Sequence, residues 1–366
     1  MRIYVAATRQ NDGKTVTSLG LLNVIKNYFE NVGYIKPVGQ QVKFIDGYKI
    51  DKDAKLMNEV FKIGCELPDM SPIAVPKGFT ENYIQHGKPD DLRDQIKEAY
   101  SHASRGKNFM VIEGTGHAGV GSVFDLSNAD VSQMLNSPVL IVTLGGIGKP
   151  IDEVMLNKAL FDKQGVKLLG VIVNKVNKNK YDKVNKFVRM GFEKKGIDVF
   201  GVVPFVPILS SPTIKQLIEE LNGKLLCGEE RQNQIVSKIL VGAMPPHAAI
   251  EYFKDTDLLI TPGNREDLIL AAVSGQVSGI SDEYGIKGII LTGGVMPDKT
   301  VMKFVEKSNI PVLLVGSHTY ETAQKVNNLM VKIRPEDTEK IKEAENLIQE
   351  HVDVERILER LKELKK

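Results

Sequence analysis

At 366 residues the chain exceeds the ~150 residues of a typical domain, so two domains are expected, each able to bury its own core. Apolar residues make up 42% and charged residues 26%, which excludes a disordered, collagenous or low-complexity polymer. A net charge of +2 supplies no basic face for a nucleic acid backbone, and the lysine-rich stretch from Asn174 to Lys186 is local, so no nucleic acid partner is expected. Cys65 and Cys227 stand far apart without metal-ligand spacing, which excludes a disulfide framework or zinc site; both are read as buried thiols. The apolar run at Met1–Ala7 is too short for a signal peptide, and nothing later approaches the ~18 apolar residues of a membrane span. No membrane partner and a cytoplasmic location are therefore expected.

In chain order, short β-branched or apolar runs recur at Ile3–Ala7, Tyr34–Val38, Phe109–Ile112, Val139–Leu144, Leu168–Val173 and Val199–Val203, each followed by an amphipathic stretch. Continuous apolar strands separated by helix-period sequence predict a parallel sheet covered on both faces. An α/β doubly wound domain is expected over residues 1–210. After the Ser210-Ser211-Pro212 turn signal a smaller α/β domain is expected over 211–333, with strands at Ile235–Val241, Leu258–Thr261, Gly288–Leu291 and Pro311–Val315. Helices are predicted to start at Pro245-Pro246 and, capped by Asp298, at Lys299. Residues 334–366 form a charged helical tail whose stripe Ile341, Ala344, Ile348, Val352, Ile357 and Leu361 requires a docking surface.

The sharpest motif is Thr8-Arg9-Gln10-Asn11-Asp12-Gly13-Lys14-Thr15, which follows the first strand and opens a helix predicted over Val16–Phe29. A strand–loop–helix of this kind aims the amides of residues such as Asn11, Asp12, Gly13 and Val16, and the positive helix end, at phosphate oxygens. Gly13 allows close approach, Lys14 adds a point charge and Thr15 offers its hydroxyl to Mg²⁺. The strict pattern has glycine where Thr8 stands, and an aspartate at position 12 repels phosphate unless it points away or caps the helix.

The loop resembles that of dethiobiotin synthetase and its relatives, the cobyrinic acid diamide synthases, whose form Gly-Thr-x-x-x-x-Gly-Lys-Thr is matched by Thr8, Gly13, Lys14 and Thr15, with Ala7 replacing the leading glycine. Tyr34-Ile-Lys-Pro-Val is similar to that family's Tyr-Lys-Pro-Val, and the resemblance implies that Lys36 sits near the transferred phosphate. Asp51-Lys-Asp-Ala and Val111-Ile-Glu-Gly-Thr-Gly resemble the segments that supply acidic metal partners, which implies Asp53 and Glu113 beside Mg²⁺, with Gly114 and Gly116 facing an acceptor substrate. Val173-Asn174 and Val203-Pro204 resemble the strand ends that read and back the adenine. Each carried-over residue also has a plainer reading, with Asp53 as a helix cap and Asn174 as a turn cap. Asp125 and Asp130 are read as surface or capping residues, and His117 faces either a substrate or solvent.

Leu258-Leu-Ile-Thr-Pro-Gly-Asn-Arg-Glu-Asp and Gly288-Ile-Ile-Leu-Thr-Gly-Gly resemble the DRTGG domain, with Asn264-Arg265-Glu266 in place of Asp-Arg-Thr. Such domains accompany regulatory modules, which makes Arg265, Gly293 and Gly294 candidates for a regulatory ligand site; glycine after a strand is also ordinary turn chemistry. The order of the two domains is similar to the region in front of the catalytic domain of long phosphotransacetylases, and no residue here supports acetyl transfer itself. The resemblance implies an ATP- and Mg²⁺-binding protein that acts as a nucleotide-responsive regulator or accessory ATPase, with an acyl-phosphate-metabolising enzyme as partner and a homodimer as its assembly. The alternative is an ATP-dependent ligase that phosphorylates a small carboxylate or carbamate, with a carboxylate or amine as substrate and Lys14 and Lys36 stabilising the transferred phosphoryl group. A partitioning-type ATPase is the weakest reading, since Arg9 stands where that class carries a second lysine.

Overall fold

Ile3, Val5 and Ala6 are fully buried on both faces of their strand, which is possible only in the middle of a covered sheet. The computed structural model describes residues 1–277 and 286–364, which divide into one unit of Met1–Val206 with Ile333–Lys366 and another of Pro207–Lys332. In chain order the first unit has strands β1 (Arg2–Ala7), β2 (Val32–Ile35), β3 (Val38–Gly39), β4 (Val42–Ile45), β5 (Tyr48–Asp51), β6 (Ile73–Ala74), β7 (Phe109–Glu113), β8 (Val139–Leu144), β9 (Leu168–Val176) and β10 (Val199–Pro204). Six of them form a sheet in the order β10-β9-β8-β1-β7-β2, parallel throughout, as the apolar runs predict. This is the fold of P-loop NTPases.

The helix after β1 runs Lys14–Ile25, shorter than the predicted Val16–Phe29. It ends where Asn27 and Tyr28 turn the chain, with Tyr28 N donating to Ile25 O at 2.9 Å. The predicted extended run Tyr34–Val38 is split between β2 and β3 around Lys36 and Pro37, whose ring cannot donate to a ladder. The hairpin β4–β5 was not anticipated, although Asp46-Gly47 between two short runs is a hairpin signal. Asp46 and Gly47 have φ of 47° and 86°, both left-handed, as a two-residue turn of that type requires.

The tail forms two helices, Thr338–His351 and Val354–Glu363, rather than one. Between them Val352 pairs with Gly201 of β10 and Asp353 N donates to Phe200 O at 2.8 Å, so the break closes an otherwise open sheet edge. The predicted apolar stripe is buried along its whole length. Gly20 lies close against the first tail helix: a Cβ there would meet Ile348 Cβ at 2.4 Å and Ala344 O at 2.9 Å. The tail thus packs directly on the helix that begins at the phosphate loop. Lys340 on the first tail helix is fully buried, and burial lowers its pKa despite Asp337 at 3.9 Å.

The second unit has strands β11 (Lys224–Cys227), β12 (Ile239–Val241), β13 (Leu258–Pro262), β14 (Gly288–Thr292) and β15 (Val312–Leu314) in the order β11-β15-β14-β13-β12, parallel except for β11. The predicted strand Ile235–Val241 survives only as β12, because Ile235 bridges Thr213 and Val236 N donates to Pro212 O, pulling that half away from the sheet. Helices Pro246–Phe253 and Lys299–Ser308 begin at the predicted cues, with Asp298 accepting from Thr300 N. Cys65 and Cys227 are half-buried, not buried as expected; burial still pushes the Cys227 thiol up to about 11.

Candidate phosphate-binding site

The loop between β1 and helix Lys14–Ile25 is braced from within. Asp12 is fully buried, and its Oδ2 accepts from Thr8 Oγ1 and from Arg9 N, both at 2.7 Å. The carboxylate is therefore turned into the loop, which resolves the repulsion that an acid here would otherwise impose on phosphate. Burial raises the pKa of Asp12, partly offset by those hydrogen bonds. Thr8 serves where the strict pattern has glycine because its φ is not positive and its hydroxyl is a working part of the brace. Gly13 has no such freedom: its φ is 107°, and a Cβ would lie 2.0 Å from Asn174 Nδ2. Helix Lys14–Ile25 begins without a side-chain cap and without an acid in its first turn, the condition in which an anion completes a helix N-terminus.

Lys14 is buried, and its Nζ donates to Gly116 O at 3.2 Å and Arg9 O at 3.4 Å, which holds the ammonium over the loop. Beside it lies a buried charge cluster. Lys36 Nζ donates to Asp53 Oδ2, lies 3.3 Å from Asp51 Oδ1 and 3.4 Å from Glu113 Oε1, and all four side chains are at most 7% exposed. Burial alone would lower the pKa of Lys36, but the three carboxylates outweigh it and hold the pKa well above the ordinary lysine range. Thr15 Oγ1 donates to Glu113 Oε1 at 3.1 Å, linking the cluster to the loop. Sequence-predicted Thr15, Lys36, Asp53 and Glu113 are thereby brought together.

These residues fit Mg²⁺. Three carboxylates face one lysine, Glu113 Oε2 is buried without a hydrogen-bond partner among the described residues, and every donor is oxygen. Among the described residues no three or more His, Cys, Asp or Glu side chains form a ready-made metal cage, and Mg²⁺ seldom uses one. Thr15, Asp53 and Glu113 would hold the ion.

Asn174 is buried against Gly13, donating from Nδ2 to Asp12 O at 2.8 Å and accepting from Lys175 N at 2.9 Å. Pro204 ends the neighbouring β10. Gly114 and Gly116 belong to a loop organised by Asn128, whose Oδ1 accepts from Tyr4 Oη at 2.8 Å and Thr115 N at 3.0 Å, and whose Nδ2 donates to Thr115 O and His117 O. A Cβ on Gly114 would meet Asn128 Oδ1 at 2.5 Å. His117 is exposed and accepts from Gly119 N at 3.2 Å, and Asp130 forms a capping box with Ser127. Sequence reasoning missed Asn128, Asp51 and Glu153. Asp51 caps helix Lys52–Phe61 through Asp53 N, and Glu153 holds Arg9; only the cap at Asp51 left a local signal.

In the second unit Arg265 grips Asp267 through Nε and Nη2, both at 2.9 Å, and donates to Met244 O at 3.0 Å, so its charge is already matched. Gly293 and Gly294 are left-handed, with φ of 79° and 67°, and their amides donate to Ser317 O and Val315 O. Their glycine character is accounted for by the turn. A separate cleft of about 570 Å³ opens in the first unit at the amino ends of the strands, lined by Arg2, Pro138 and Lys167 among others, away from the loop.

A parallel sheet with a lysine-bearing loop at the first strand-to-helix bend defines a P-loop NTPase-like protein. The chain belongs to the AAA domain family (AAA_26), whose model matches residues 1–213, and the DRTGG domain model matches residues 216–329. The two domain types that the motifs resemble are the two that match. Among curated proteins it is similar to phosphate acetyltransferases, at 27% identity to that of Synechocystis sp. over 99% of this chain and 52% of that protein, and at 27% to that of Nitratidesulfovibrio vulgaris over 98% and 51%. The chain spans about half the length of these relatives. Among solved structures, a putative plasmid partition protein from Borrelia burgdorferi bound to AMPPNP is 14% identical, with a TM-score of 0.36 over 56% of this chain and 86% of that one.

Proposed function

We propose that the first unit binds MgATP and that the protein works as a nucleotide-responsive regulator or accessory ATPase, related to the amino-terminal half of phosphate acetyltransferases. The observation that carries this reading is the joining of a braced phosphate loop to the buried Lys36–Asp53–Glu113 cluster through Thr15. Lys14 and the amides at the helix start bind the phosphates; Lys36 balances charge that a terminal phosphate would bring. Mg²⁺, when bound, neutralises phosphate oxygens. The DRTGG domain supplies the regulatory half, a cytoplasmic homodimer is the assembly, and an acyl-phosphate-metabolising enzyme is the partner. No described helix is long and apolar enough to cross a membrane.

A second reading, an ATP-dependent ligase acting on a small carboxylate or carbamate, draws support from Lys36 and from the Asn128-ordered loop at Gly114–Gly116 beside it. Thermal shift and turnover separate the two. With MgATP at 100 times its Kd the first unit gains about 2.7 kcal/mol of stability by mass action. Negligible turnover fits the regulator, turnover raised sharply by one carboxylic acid or amine fits the ligase, and neither shift nor turnover refutes both.

Glu113→Gln keeps an acceptor for Thr15 and removes the charge beside the unpaired oxygen. The variant folds, and half-maximal ATP binding needs about ten times more Mg²⁺, the loss of roughly one charge-assisted contact. A Mg²⁺ titration of nucleotide binding checks this; an unchanged Mg²⁺ requirement would remove Glu113 from the metal's ligands.

A further inference from the structure

The cleft of about 570 Å³ at the amino ends of the strands has the volume of a small-molecule site, which is commonly ~300–1,000 Å³. Arg2 starts β1, Pro138 precedes β8 and Lys167 precedes β9, and these strands are neighbours in the order β9-β8-β1. The phosphate loop leaves the other end of β1, six residues or roughly 20 Å away at ~3.3 Å per residue. The second tail helix supplies one wall through Leu361, which is buried, and Leu364, which is 36% exposed. That wall lies beyond both matched domain regions, 1–213 and 216–329, so neither domain family accounts for it.

The charge of the lining is one-sided, since no aspartate or glutamate contributes to it. Arg2 meets the neutral Tyr100, with Nη1 donating to Oη at 3.5 Å and the guanidinium 6.0 Å from the ring centre, and no carboxylate pairs with it among the described residues. Lys167 is exposed; its carbonyl accepts from Val139 N at 2.9 Å, which fixes its backbone, and among the described residues no carboxylate pairs with its ammonium. Helices Asn128–Met134 and Gly148–Lys163 end here, and their last carbonyls would set an opposing field if left bare. Both ends are closed by left-handed residues, Asn136 at φ 47° and Gly165 at φ 69°. The amides that follow engage those carbonyls, Ser137 N donating to Ser132 O and Val166 N to Phe161 O, each at 2.9 Å. The cleft therefore presents two cations without acidic partners beside an apolar wall of Pro138, Leu361 and Leu364.

We infer that this cleft binds an amphiphilic anion, a carboxylate or phosphate monoester on a short alkyl chain, with its head between Arg2 and Lys167 and its chain on the tail leucines. The site is separate from the phosphate loop and stands whether or not the loop holds a nucleotide. The test is calorimetry on the full chain with octanoate, octyl phosphate, octyltrimethylammonium and butyrate. At least one octyl anion binds saturably, at least about ten-fold more tightly than the octyl cation and than butyrate, because the site uses both the charge and the chain. Whichever octyl anion binds more tightly identifies the head group. Lys167→Glu and Leu364→Ser, both at exposed positions, leave the melting temperature unchanged and each weaken that anion about ten-fold, the loss of one charge-assisted or one apolar contact. Lys14→Ala leaves its affinity within two-fold. Equal binding of the octyl cation and the octyl anions would overturn the inference, as would saturable binding of neither anion or affinities untouched by both cleft variants. Loss of binding in Lys14→Ala would move the anion to the phosphate loop and overturn it as well, while leaving the loop's own assignment standing.

Discussion

Lys14→Ala abolishes measurable nucleotide binding, with affinity falling at least about 100-fold. Lys14 is buried, and its ammonium is held over the loop by the carbonyls of Arg9 and Gly116. A phosphate there gains charge-assisted hydrogen bonds worth about 1.5–3 kcal/mol each, and every 1.4 kcal/mol lost is ten-fold in affinity. The fold tolerates the change, because the carbonyls of Arg9 and Gly116 that the ammonium meets can be satisfied by solvent. Unchanged melting temperature with no thermal shift on adding MgATP is the expected pair of results. Unchanged ATP affinity would contradict the assignment of the loop.

Lys36→Met has the larger effect on stability. Its ammonium is the shared partner of Asp51, Asp53 and Glu113 in a site closed to solvent, and removing it leaves three carboxylates buried beside one another. Breaking a buried pair from one side costs about 3–5 kcal/mol, which for a unit of this size lowers the melting temperature by on the order of 10 °C. The pH behaviour follows from the sign of the shift. Since the folded pKa of Lys36 is raised well above the ordinary lysine value, its stabilisation is fully present below that value and is lost only as pH climbs through the raised one. The wild-type chain therefore keeps this contribution across the neutral range. Mg²⁺ restores part of the variant's loss by supplying the missing positive charge. Calorimetric melting of both proteins, with and without Mg²⁺, checks the loss and its partial recovery; a variant as stable as wild type would show that Lys36 does not hold the cluster together.

The six-stranded sheet was legible because its strands are buried on both faces and so read as continuous apolar runs, as in Val139–Leu144. The loop was legible because its chemistry is local, with Gly13, Lys14 and Thr15 adjacent in sequence. What the sequence concealed depends on contacts between distant residues. Asn128 orders the Gly114–His117 loop from a helix start whose only local feature is a capping box. The bracing role of Asp12 needs Thr8 to carry a hydroxyl, so the departure from the glycine pattern became intelligible only with the loop closed. The tail's stripe announced a docking face, but its partner is set by Gly20 on the loop helix and Gly201 on β10, two glycines that look like weak points of a helix and a strand until a second backbone is found against each. In the second unit, half of the predicted strand Ile235–Val241 was lost because Thr213 and Pro212 compete for its backbone, a tertiary outcome that periodicity cannot contain.

The central claim, that the amides from Gly13 onward and Lys14 hold a metal-complexed triphosphate, is tested most directly by calorimetric titration of the full chain with ATP in the presence and absence of Mg²⁺. A saturable isotherm that tightens with Mg²⁺ and disappears in Lys14→Ala is predicted. No heat, together with no gain in melting temperature at millimolar MgATP, would contradict it.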